Sequence, residues 1–225
     1  MLLSEDRTTL NLVLEVFLRT SPKGKDLWRT HHPFHCLHLI GPMLTPQDTI
    51  HVIESFGWPW SKTTGFQLCT FLQAQCRAPD HARIVVKSEV LHGLLVYLKS
   101  SRDFTALWVI CILFETLSKM EASEFLGLWD NKALDIANDV LSSKMQEDGL
   151  ETWNYYHYWG VPFSLAMTCY RLNRSHGTHI ISSGILVTLH SLSTIASVSE
   201  FKDLKETQNF IHMVYRLVQR NKIYN

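Results

Sequence analysis

The densest concentration of side chains able to do chemistry is the run His31, His32, His35, Cys36 and His38. Imidazole nitrogen and thiolate sulfur are the donors zinc favours, and His31 and His35 would share one helical face at i, i+4. The surrounding spacing argues against a zinc module. No CxxC pair accompanies the run, the next cysteines, Cys69 and Cys76, are seven residues apart, and a helix opened by Pro33 would leave His31 outside it. The expectation is therefore packed or solvated histidines and no resident metal or other cofactor. His31, His35, Cys36 and His38 are the ligands a zinc ion would use. A surface that responds to acid is an intermediate reading, because imidazole titrates near neutrality.

Cys36 between His35 and His38 also invites a thiol nucleophile. Catalytic Cys–His pairs are made in space rather than by adjacency, and Cys36 belongs to the apolar run Phe34–Ile40, so core packing is the simpler reading. Carboxylates offer little more. Glu115 follows an apolar stretch and is either an acid at a pocket mouth or the first solvated residue, of which the second is preferred. Glu121 with Glu124, and Glu147 with Asp148, read as solvated charges. The chain holds no phosphate-binding glycine loop, GxSxG elbow or HExxH pair. No catalytic engine is recognisable, and a non-enzymatic protein is expected.

Aromatic residues point elsewhere. Trp153, Tyr155, Tyr156, Tyr158, Trp159 and Phe163 crowd one short stretch, and Trp58 with Trp60 form a second. A single helix cannot bury all six of the first group on one face, so some must reach a neighbouring element or a partner. Tyr and Trp suit interfaces, giving a large contact area and a polar tip at low entropy cost. These eight residues are the expected partner-binding surface. The competing reading is an aromatic cluster that locks the domain together. Base stacking on single-stranded RNA lacks the interleaved Arg or Lys it needs.

Composition narrows the class. The chain has 225 residues, 46% hydrophobic and 19% charged, as in ordinary folded proteins. Lys plus Arg equals Asp plus Glu at 21 each, which disfavours binding carried by phosphate contacts and suits self-association or a permanent protein partner. Five cysteines, an odd number, lie in apolar or mixed runs and read as reduced core thiols, which favours cytoplasm or nucleus. The first residues, Met-Leu-Leu-Ser-Glu-Asp-Arg, carry acids where a signal peptide has bases.

The elements that would position these groups are helical. From Phe104 to Phe114 there is no charge and only one hydroxyl, so a helix there is apolar around most of its circumference and must be surrounded. Its apolar run is about half of the roughly 20 residues a bilayer span needs, so it is expected at the centre of the core, capped by Ser101 and Asp103. Thr45-Pro46-Gln47-Asp48 is a capping box with Pro at the first position. Val90, Leu91, Leu94, Leu95 and Leu98 share one face of a helix over 88–99. Arg83–Val86 is either extended or the start of that helix. Residues 8–19 alternate as a strand but also follow a helical period, and helix is preferred. Pro162 should open a helix ending before a loop at Arg174–Gly177. Residues 175–199 carry no Lys, Arg, Asp or Glu but are rich in Ser and Thr with three His, which predicts a buried helix and no membrane span.

Eight to ten helices with short connections and no βαβ rhythm predict one all-α domain over 1–225, with a subdomain break possible near 146–152. The succession of amphipathic hairpins allows HEAT-like stacking, although no fixed-period repeat is visible. The functional expectation is a protein–protein interaction module, a scaffold, adaptor or complex subunit, in a hetero-complex or homo-oligomer. The alternatives are a self-assembling viral matrix or nucleocapsid-type protein, and a zinc-stabilised module or metal-dependent enzyme using the His31–His38 cluster.

Overall fold

A computed structural model describes residues 40–120, 122–147, 156–199 and 202–221. Every regular element among these residues is helical: ten α-helices and two short 3-10 turns, Gly41–Met43 and Ala122–Phe125. In order they are α1 (Pro46–Glu54), α2 (Lys62–Gln75), α3 (Pro79–Val86), α4 (Glu89–Ser101), α5 (Phe104–Leu117), α6 (Leu126–Asp130), α7 (Ala133–Glu147), α8 (Tyr156–Ser182), α9 (Ile185–Val198) and α10 (Lys205–Asn221). The all-α expectation holds.

Local chemistry explains most starts. The Thr45 side chain accepts from the Asp48 amide while Asp48 Oδ2 accepts from the Thr45 amide at 2.9 Å, closing the predicted box on α1. Ser61 and Ser88 cap α2 and α4 through their hydroxyls. Asp103 Oδ1 accepts from the Thr105 amide at 2.8 Å, and Ser101 Oγ accepts from the Asp103 amide at 3.2 Å, so both residues named for the cap of α5 take part.

The apolar segment does lie at the centre. Ten of the fourteen α5 residues are buried, and the helix packs against α2, α3, α4, α7 and α8. Each fully buried Leu, Ile or Phe contributes about 1.5–3 kcal/mol relative to exposure. Phe104, Thr105, Trp108 and Glu115 are half-buried, and the Trp108 ring lies against Gly160 of α8. α8, α9 and α10 pack on one another beside this hub, and α7 joins α9 to α4. The α7–α9 seam carries a polar chain. Thr188 Oγ1 donates to Asn138 Oδ1 at 2.6 Å, Ser142 and Thr188 share a hydroxyl contact at 2.9 Å, and Asn138 Nδ2 donates to the Ser183 carbonyl at 3.1 Å. Such a network fixes register only because each member is satisfied.

Four expectations are corrected. Arg83–Val86 is neither extended nor part of α4, but the end of α3, a separate helix opened by Pro79 with Asp80 in its first turn. Pro162 does not open its helix; it lies inside α8, whose backbone begins at Tyr156. The loop expected at Arg174–Gly177 is instead a kink, with His176 at φ −132° and ψ 26° and helix on both sides. The uncharged stretch 175–199 is likewise not one helix. It is split at Gly184 (φ 72°), where α8 and α9 meet at 95°. Among the described residues, no single helix is long and apolar enough to cross a membrane.

Candidate functional site

α10 buries Thr207, Phe210, Val214 and Leu217, a stripe at i, i+3, i+7, i+10 that faces α8 and α9. The neighbouring stripe is Asn209, His212, Met213 and Arg216. With Phe163 of α8 it lines an open groove of about 320 Å³. Phe163 packs on the core and is half-buried, whereas Asn209, His212 and Arg216 are exposed. Among the described residues, these three donors have no intramolecular hydrogen-bond or ion-pair partner. One turn further along α10, the Arg220 guanidinium stands 4.0 Å over the Tyr170 ring. The floor of the groove is thus apolar and one wall is a row of donors.

Of the residues expected to bind a partner, Phe163 alone is seen in this groove. Trp153 and Tyr155 lie outside the described residues. Tyr156, Tyr158 and Trp159 belong to the first turn of α8, but their side chains lie outside the described part. The four α10 residues were not anticipated, because the sequence shows Asn209, His212 and Arg216 only as the polar edge of an amphipathic helix and Met213 only as part of its apolar face.

The second aromatic pair is described in full. The Trp58 and Trp60 rings stack with centroids 4.2 Å apart, and Trp60 continues to Tyr97 at 5.9 Å. Tyr97 Oη donates to one of its two neighbours, Asp103 Oδ2 at 2.9 Å and the Lys62 carbonyl at 3.0 Å. The ladder therefore ties α2 to α4 and to the cap of α5. Trp58 lies flat on Gly93 of α4, where the missing Cβ makes room for the indole. Exposure separates the two tryptophans: Trp60 is 8% exposed and belongs to the core, while Trp58 is 41% exposed.

A third cluster was missed altogether. At the α8 kink, His176 sits 5.2 Å from Phe125 and 5.4 Å from Trp129, and His179 stacks on Trp129 at 4.9 Å with planes 8° apart. The imidazoles are 6.2 Å apart. Burial, and then the neighbouring His179 charge, hold His176 below its ordinary value of 6.5. In the unfolded chain His176 recovers that value, so below about pH 6.5 the unfolded state binds more protons. Stability is complete above that pH and is lost as pH falls through the depressed folded value. Thermal unfolding between about pH 7.5 and about pH 5 should show a midpoint that drops more in the wild type than in His176→Gln. Parallel curves for the two proteins would show that His176 does not couple folding to acid.

The remaining chemistry-bearing groups are accounted for structurally. Cys69, Cys76, Cys111 and Cys169 are buried free thiols, and burial pushes each well above its ordinary value, Cys169 to about 12. A thiol so held is not a nucleophile near neutrality. Glu115 pairs with Arg171 at 3.2 Å on the surface. Glu124 is not the solvated charge expected. It bridges Arg83 at 3.0 Å and Lys87 at 3.1 Å, and the Lys87 ammonium, with the Arg83 guanidinium beside it, holds its carboxyl below the usual range. Among the described residues, no three His, Cys, Asp or Glu converge on a possible metal position. His31, His35, Cys36 and His38 lie outside the described residues.

No family model, characterised protein or solved structure matches the chain. The functional reading therefore rests on the geometry alone.

Proposed function

We propose that the protein is a non-enzymatic binding module, acting as a scaffold, adaptor or subunit by holding another protein. The observation that carries the reading is the apolar border of the α2–α4 seam. Trp58 is 41%, Phe66 46% and Val96 47% exposed, although the helices beneath them are closed. Gly65, next to Phe66, abuts the Tyr97 ring, and Val96 precedes Tyr97, so each exposed residue stands about 100° around its helix from one that meets the other helix. Aromatic and aliphatic side chains at the rim of a rigid ladder are the anchors protein interfaces use, since little rotamer freedom remains to be lost. Cytoplasm or nucleus forms part of the same proposal, supported by four buried cysteines kept as thiols.

Affinity purification with mass spectrometry from the native host tests this. Trp58→Ala with Phe66→Ser is expected to lower partner recovery on the order of tenfold while leaving helical circular dichroism unchanged. Equal recovery by the double variant would sink the assignment of this seam. Recovery of further copies of the chain alone, with concentration-dependent oligomers in light scattering, would replace it with the self-assembling structural reading.

A further inference from the structure

We infer that the groove between α8 and α10 receives a short extended acidic segment of a partner protein, two carboxylates flanking one apolar residue. This rests on the protein-binding reading above and assigns the partner chemistry at a surface separate from the Trp58 seam.

Charge supplies the first argument. The groove presents Arg216, His212 and Asn209 as donors and, among the described residues, is lined by no carboxylate. The sequence places no Asp or Glu in residues 156–199 or 207–221, so the bodies of α8 and α10 offer only positive charge, from Arg171, Arg174, Arg216 and Arg220. Arg171 is already engaged by Glu115, and Arg220 lies over Tyr170 at the end of the donor row. The one carboxylate of α10, Glu206, lies in its first turn, ten residues and about 15 Å along the helix from Arg216.

Spacing supplies the second. A helix rises about 1.5 Å per residue, which sets His212 and Arg216 about 6 Å apart along α10. In an extended peptide, residues i and i+2 point the same way about 6.7 Å apart. Two acids separated by one residue therefore match the Arg216 guanidinium and the His212 imidazole N–H, and the residue between them points across the groove toward Phe163. The row from Asn209 to Arg216 spans about 10 Å, too long for one free carboxylate or phosphate and suited to three extended residues. A nucleic-acid strand would require a longer row of cations, against a formal net charge of zero for the chain.

The test uses the full chain and the pentapeptide acetyl-Gly-Glu-Leu-Glu-Gly-amide, followed through the carbon-labelled methyl signal of Met213. A saturable shift is expected, weakened on the order of tenfold by Arg216→Glu and by replacing both peptide glutamates with glutamine. Lys205→Glu, an exposed charge change in the first turn of the same helix, should alter it less than about twofold. The inference is overturned if the glutamine peptide binds equally, if Lys205→Glu weakens binding as much as Arg216→Glu, or if an oligouridylate saturates the signal at lower concentration. A groove indifferent to every peptide, in a protein that still captures its partner through the Trp58 seam, overturns this inference and leaves the protein-binding reading standing. Peptide binding that persists when partner capture fails supports the groove and removes the seam.

Discussion

Ile110→Asp is expected to prevent the chain from holding its native structure. Ile110 is fully buried in α5, the helix against which α2, α3, α4, α7 and α8 pack. A carboxylate there must be desolvated without a partner or take up a proton, and either course costs several kcal/mol. Total stability of a domain is about 5–15 kcal/mol, so this one change consumes much or all of it. Loss of the cooperative thermal transition and rapid proteolysis are the expected readouts. Ile110→Val, which removes one methylene, should cost about 1 kcal/mol and keep the transition. Protease resistance unchanged by Ile110→Asp would mean that α5 is peripheral. Trp108, on the same helix, is the milder position. Its half-buried ring leans on Gly160, so Trp108→Ala should destabilise without unfolding.

Gly65→Ala should be strongly destabilising for a single-methyl addition. A Cβ at Gly65 would fall within the Tyr97 ring, and Tyr97 is poorly able to move. Its ring is buried, it packs on Trp60, and its hydroxyl is held between Asp103 and the Lys62 carbonyl. Overpacking of this kind costs about 1–3 kcal/mol, and the double tether places it near the upper end. For a chain of this length that corresponds to a fall in thermal midpoint of about 5–10 °C. In a Tyr97→Leu background the penalty of Gly65→Ala should shrink, since the ring it meets is gone. A penalty of the same size in both backgrounds would show that the clash is not the cause.

The helical fold was largely legible because its signals are local. Thr45 with Asp48, and Asp103 before the apolar α5, mark helix starts through hydrogen bonds made within one turn. The uncharged circumference of α5 required burial whichever elements supplied it. α3 opens on Pro79 and Asp80, but the apolar residues that follow read equally as extended chain or as the start of the next helix. Local rules failed at Pro162 and at His176. There the backbone continues through a proline and through a kink, and rings from the 3-10 turn and α6, Phe125 and Trp129, close around His176.

Candidate sites were legible only as ingredients. The sequence singled out Trp58, Trp60 and Phe163 by residue type, but type does not determine exposure. Trp60 is enclosed by the ladder to Tyr97, while Trp58, two residues earlier, keeps an open edge because it rests on a glycine of α4. By itself, then, the sequence determined that the chain is helical, where several helices begin, and that α5 must be enclosed, all consequences of capping and periodicity within one element. Tertiary structure alone decided that Phe163 faces Arg216 across a groove, 53 positions away in the chain. Periodicity shows which side of a helix is apolar, but only the packing of α8 against α10 decides what its polar edge will stand beside.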